Sequence, residues 1–127
     1  SFRPFAPSVL EEYVKDWFEI SYDFDKSVPY MMKVYKFKSE KQHLVPAVCH
    51  VDGSGRLQSV NENRNGRYYR LIKKFYELNQ IPMLLNTSFN ENEPIVMRPE
   101  EALSCILRTD LDYLVMDNIL IRKKKFF

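Results

Sequence analysis

The residues best suited to chemistry fall in three clusters. The densest is Leu84-Leu85-Asn86-Thr87-Ser88-Phe89-Asn90, where an apolar run starting at Ile81 is cut off by small polar side chains. Asn86, Thr87, Ser88 and Asn90 offer hydroxyl and amide groups able to hold a phosphate or a planar, amide-like group. A loop made only for turning would favour Gly, Pro or Asp. The second cluster is His50-Val51-Asp52-Gly53-Ser54-Gly55-Arg56, and the third is Arg3 beside Pro4. Guanidinium forks match phosphate and carboxylate oxygens. If their strands lie side by side, Arg3, Arg56 and the Asn86 turn converge on an anion crevice suited to a phosphorylated small molecule or a nucleotide. Each residue also has a plainer role open to it. Arg3 and Arg56 can be surface salt-bridge partners, His50 a strand-end residue bonded to a backbone carbonyl, and Asp52 the shaper of a turn. With only His43 as a second histidine, a metal site is not expected. The chain carries no nucleophile elbow, P-loop or dinucleotide fingerprint.

These clusters need elements to hold them. Arg3 to Leu10 reads as extended, since Pro4 and Pro7 exclude an early helix. Glu11 to Phe18 suits a short helix with Tyr13, Val14, Trp17 and Phe18 on one face. Ser21 to Pro29 reads as a loop and Tyr30 to Phe37 as a strand. Leu44 to Val51 is expected to be a second apolar strand, joined through Asp52-Gly53-Ser54-Gly55 to a return strand over Leu57 to Val60, as a hairpin. Asn61 to Gly66 reads as a polar loop. Arg67 to Leu78 is the strongest helix, with Tyr68, Leu71, Ile72, Phe75 and Leu78 at helical spacing. Ile81 to Leu85 is the strand feeding the polar turn, and open α/β sheets place ligands outside the carboxyl ends of their strands. Glu93 to Val96 reads as a short extended piece. Pro99 opens a helix with Ala102, Leu103, Ile106 and Leu107 as its apolar side. Two strands, Asp112 to Met116 and Ile119 to Arg122, close through Asp117-Asn118. Six or seven strands and three helices in mixed order predict an α/β or α+β domain with a mixed sheet.

Composition narrows the function. The chain has 127 residues, 45% hydrophobic and 28% charged, the profile of one folded domain rather than a disordered segment. No apolar run reaches the roughly 20 residues a membrane crossing needs. The first residues lack the layout of a signal peptide. Cys49 and Cys105 stand in apolar contexts without CxxC spacing, so two buried free thiols in a reduced, cytoplasmic setting are expected. Asn86-Thr87-Ser88 is formally a glycosylation sequon, set aside for want of a secretion signal. A net charge of +2 is too weak to argue for a nucleic-acid partner. The basic run Arg122-Lys123-Lys124-Lys125 reads as a solvated tail.

The clusters also stand in a recognisable order. Arg3-Pro4-Phe5-Ala6-Pro7-Ser8-Val9-Leu10, Pro29-Tyr30-Met31, Pro46 to Gln58, Tyr69-Arg70-Leu71-Ile72, Leu84 to Asn90, Glu93-Pro94-Ile95-Val96, Pro99-Glu100-Glu101-Ala102 and Leu111-Asp112 resemble the C-terminal part of the O-carbamoyltransferases. That family includes nodulation proteins and the enzymes that carbamoylate cephamycin and tobramycin. The resemblance spans nearly the whole chain. It implies a YrdC-like domain, a twisted mixed sheet with flanking helices, over residues 1–127 of a longer two-domain enzyme. It implies binding of carbamoyl phosphate and ATP and formation of carbamoyl adenylate with loss of pyrophosphate. An N-terminal domain of actin-like ATPase fold, holding iron and the acceptor, would complete the transfer, and this chain alone would be inactive. Thr87-Ser88-Phe89-Asn90 resembles the Ser-x-Asn nucleotide motif of YrdC-like domains. Carried over by position, Arg56 and Ser88 would contact phosphate or adenylate. Asn86, Thr87 and Asn90 would line the same pocket, Arg3 would add a cation, and His50 and Asp52 would shape the pocket or orient Arg56. Three departures stand out. Asn92 precedes Glu93-Pro94 where many members have Gly, Arg98 stands where small polar residues are common, and basic residues upstream of the Arg-Pro-Phe motif would precede Ser1. The alternative reading is a YrdC-like nucleotide- or RNA-binding module without catalysis of its own.

Overall fold

A computed structural model describes residues 5–21, 33–89 and 94–124. It divides into two compact units, residues 1–87 and 88–127. The first is built on a four-stranded mixed sheet: β1 (Ala6–Leu10), β2 (Lys33–Lys36), β3 (Ser54–Val60) and β4 (Met83–Asn86), in the order β2-β3-β1-β4. β1 runs parallel to β3, with Ser8 opposite Gln58, and antiparallel to β4, with Ala6 opposite Asn86. β2 pairs antiparallel with β3, Val34 facing Arg56.

Alternation along the strands gives the sheet two faces. Val9 and Leu57 point to one side, where they pack with Val14, Trp17, Phe18, Phe37, Val45, Val48 and Met83. A 3₁₀ turn (Glu11–Tyr13) and the single-turn α1 (Val14–Trp17) supply part of that core; the expected helix stops at Trp17, and Phe18 is extended and bridged to Phe37. On the other side Leu10 and Val60 meet Ile72 of α2 (Glu62–Asn79), walled by Tyr13, Tyr68, Tyr69, Tyr76 and Leu84. The helix therefore presents Tyr68, Tyr69, Ile72 and Tyr76 to the sheet, whereas Leu71 and Leu78 of the expected stripe are exposed. Tethers to the 3₁₀ turn fix that choice of face. The Tyr69 hydroxyl donates to Glu12, and the Lys73 amine lies 3.7 Å from Glu12 Oε1 and 5.2 Å from the centre of the Tyr13 ring.

Two expected elements are different in the structure. Leu44 to Val51 is not a strand. Val48 N–H and Cys49 N–H both donate to Val45 O, at 3.2 and 3.1 Å, making successive turns with Val45 and Val48 inward. An i, i+3 pair of valines buries both side chains in a turn, which two-residue alternation could not do. The hairpin partner of β3 is consequently β2. Asn61 to Gly66 is not a loop either. The Asn61 side chain caps α2 by accepting from Arg64 N–H at 2.8 Å, and its amide donates to Glu11 Oε2 at 2.9 Å. Non-helical geometry at Asn65, next to Gly66, kinks the helix without ending it. Gln80, left-handed at φ 63°, terminates it.

The second unit packs α3 (Pro99–Arg108) on a hairpin of β5 (Tyr113–Met116) and β6 (Ile119–Arg122), joined through Asp117 at φ 51°. Ala102, Ile106 and Leu114 form its centre with Phe89, Val96, Met116 and Ile121 around them. The inward side of α3 is Ala102, Cys105 and Ile106, leaving Leu107 exposed. Pro94 to Val96 join no strand. Both cysteines are free thiols, Cys105 buried and Cys49 half-buried. No helix among the described residues is long and apolar enough to cross a membrane.

Candidate functional site

The site is assembled on the sheet face that α2 only partly covers. Ser8, Gln58 and Asn86 come from three adjacent strands and share that face, since Ser8 pairs with Gln58 and Ala6 with Asn86. Their side chains form a ladder. Gln58 Oε1 accepts from Ser8 Oγ at 3.1 Å and from Asn86 Nδ2 at 2.5 Å. Ser8 is fully buried, and Gln58 and Asn86 are half-buried. Arg56 stands two residues before Gln58 on the same face, about 7 Å along the strand, with its side chain exposed. Among the described residues it forms no ion pair, so the surface salt-bridge role is not what holds it.

The turn before β3 is tightly tied. Ser54 N–H and Ser54 Oγ both donate to Asp52 Oδ1, at 2.9 and 2.6 Å. His50 N–H donates to Ser54 O at 2.7 Å, and Gly53 N–H to His50 O at 2.9 Å. Ser54 Oγ lies 3.4 Å from His50 Nδ1. Hydrogen bonds from the Ser54 side chain and backbone hold the Asp52 carboxyl below its ordinary range, helped by nearby His50 and Lys36. Gly53 is required here: its φ is +82°, and a Cβ would come within 2.6 Å of Gln42 Nε2. Gly55 is required for space, because a Cβ would lie 2.5 Å from the Phe37 ring. The turn thus launches β3 in one direction and sets where Arg56 emerges. Ser54 is no nucleophile in this arrangement, since its proton goes to Asp52 and its side chain is buried.

The sequence-predicted residues therefore divide. The structure joins Asn86 to the face that carries Arg56, and His50 and Asp52 to the turn that begins β3. Thr87 follows β4 and is exposed. Ser88 opens the second unit and is also exposed. Arg3, Asn90 and Asn92 lie outside the described residues. Asn86 stands at the end of β4, whereas Arg56 sits in the first half of β3. The sheet is mixed, so a rule for parallel strands does not govern it. Sequence reasoning missed Ser8, Ser54 and Gln58. A signal was present, in Ser8 and Gln58 as polar residues inside apolar strands.

In the second unit, Pro94, Val96, Glu100, Glu101, Ser104 and Arg108 line an open hollow of about 350 Å³. Arg98 closes the start of α3, its Nε 3.4 Å from Glu101 Oε1, while Glu101 Oε2 accepts from Met97 N–H at 3.0 Å. That local role accounts for the departure at Arg98. The basic run is not wholly a solvated tail: the Lys123 amine donates to Thr109 O and its backbone N–H to Asp112 O. Among the described residues, no three His, Cys, Asp or Glu side chains converge as a metal site requires.

Comparison with known proteins gives the family of the chain. Residues 1–123 match the family described as carbamoyltransferase C-terminus. The nodulation protein NolNO of Sinorhizobium fredii is 46% identical over 97% of the chain, and NolO of Bradyrhizobium diazoefficiens 43% identical over 98%. An uncharacterised Synechocystis protein is 41% identical over 97% of the chain. The chain spans only 18% to 23% of the length of these curated relatives, which carry much further polypeptide. With the whole-chain family match and this likeness to nodulation proteins, the chain belongs to the carbamoyltransferase C-terminus family.

Proposed function

We propose that this chain is the part of an O-carbamoyltransferase that binds carbamoyl phosphate and ATP and forms carbamoyl adenylate. The observation that carries the reading is the exposed Arg56 beside the Ser8–Gln58–Asn86 ladder. An exposed cation next to oriented amides suits a ligand that is phosphate at one end and amide-like at the other. Asp52 and Ser54 orient Arg56 through the turn, with His50 closing it.

Atom balance sets the order of events. Water releases inorganic phosphate from carbamoyl phosphate, leaving carbamate. A carbamate oxygen then attacks the α-phosphorus of ATP, and pyrophosphate leaves with the electron pair of the broken P–O bond. The reaction passes through concentrated negative charge, so preorganised cations and donors lower its barrier more than acid–base groups do. Arg56 is assigned to the phosphate or adenylate, and Thr87 and Ser88 to the nucleotide by their motif. Transfer to an acceptor hydroxyl belongs to an actin-like ATPase-fold domain with iron in the remainder of the full-length polypeptide. The isolated chain is accordingly expected to bind but not to transfer. Calorimetric titration with carbamoyl phosphate tests the reading: saturable binding lost in Arg56→Ala supports it, and equal binding by both proteins refutes the assignment.

A further inference from the structure

The ladder contains more than a phosphate site needs. Gln58 Oε1 accepts two hydrogen bonds, from Ser8 Oγ at 3.1 Å and from Asn86 Nδ2 at 2.5 Å. Ser8 is sealed in β1 at 0% exposure, so the ladder is anchored from beneath by a side chain that cannot move into solvent. An amide has its donor and acceptor on opposite branches. With Nδ2 directed at Gln58, Asn86 turns Oδ1 away from it. The result is a carbonyl acceptor held in one orientation at the end of β4, on the face that also carries Arg56. A carbonyl oxygen repels phosphate oxygens and attracts an N–H. The two groups therefore suit opposite ends of one small ligand.

We infer that Asn86 Oδ1 accepts an N–H of the carbamoyl group, and that Gln58 is a positioning residue that sets the Asn86 amide for this contact. The pair selects a carbamoyl phosphate against acyl phosphates of the same shape. Acetyl phosphate has a methyl where carbamoyl phosphate has the amine, so it offers Asn86 no donor and leaves a carbonyl unsatisfied. The inference rests on the reading that the chain binds carbamoyl phosphate.

The test is calorimetry on the chain with carbamoyl phosphate, acetyl phosphate and inorganic phosphate. The wild type is expected to bind carbamoyl phosphate about tenfold more tightly than acetyl phosphate, the worth of one hydrogen bond. Asn86→Leu and Gln58→Leu bring that ratio to near one. Gln58→Glu retains acceptor oxygens for both Ser8 and Asn86, so the ratio stays near tenfold even though the added charge weakens every anion. Equal wild-type affinities for the two acyl compounds, with Arg56 still required, overturn the selectivity and leave the phosphate reading standing. A ratio unaltered in Asn86→Leu also overturns it. Failure of all three probes to bind overturns both readings.

Discussion

At the scale of residues, Arg56 and Asp52 divide the work between charge and geometry. Arg56 is the exposed guanidinium of the candidate face, and in the proposed function its replacement removes a charge-assisted ligand contact of about 1.5–3 kcal/mol. Arg56→Ala is expected to weaken carbamoyl phosphate binding by about tenfold to a hundredfold in calorimetry, with little change in melting temperature. Asp52 acts through the turn. Its folded pKa is lowered by the Ser54 hydrogen bonds, so its contribution is present above the ordinary carboxylate pKa and is lost as pH falls through the folded value. The wild type should melt above Asp52→Asn at pH 7, and the gap should close toward acid. A gap that is constant with pH would show that the carboxylate does not hold the turn. Asn86 was legible as a candidate because four polar side chains ended an apolar strand. The partnership with Ser8 and Gln58 was not, because register across three strands decides it and no local pattern encodes that register.

At the scale of elements, α2 shows where periodicity falls short. The helix was legible from its apolar spacing, yet its inward face is Tyr68, Tyr69, Ile72 and Tyr76 rather than the leucines. Aromatics with polar tips reach both the core and the tether at Glu12, which leucines cannot do. The Glu12 hydrogen bond, with burial, pushes the Tyr69 hydroxyl up from 10.0 to about 12. The stabilisation is therefore complete below the unfolded pKa near 10 and disappears as pH rises toward 12. Ultraviolet titration should find a tyrosine ionising near pH 12 that is missing in Tyr69→Phe and shifted down in Glu12→Gln. Ile72→Ala empties the centre of the smaller core in this unit and should cost about 2–5 kcal/mol in denaturant unfolding. The span from Leu44 to Val51 misled because its apolar content suits a strand. Its valines at i and i+3 carried the opposing signal, and Gly55 against Phe37 shows why β3 pairs with the strand leading into Phe37.

At the scale of the whole molecule, family membership was legible from ordered motifs, and the mixed sheet with three α-helices among the described residues agrees with the α/β expectation. The division at Ser88 was not, since the polar turn reads as one continuous segment in sequence while the chain changes unit within it. This chain covers only 18% to 23% of the length of its relatives, so the proposed reaction is tested on the full-length polypeptide. If this domain makes carbamoyl adenylate, the full-length polypeptide releases pyrophosphate from ATP, to be measured with and without carbamoyl phosphate. Release is expected to depend on carbamoyl phosphate, to be matched by inorganic phosphate, and to fall at least about tenfold in Arg56→Ala. Release independent of carbamoyl phosphate, or unchanged in Arg56→Ala, would contradict that reading.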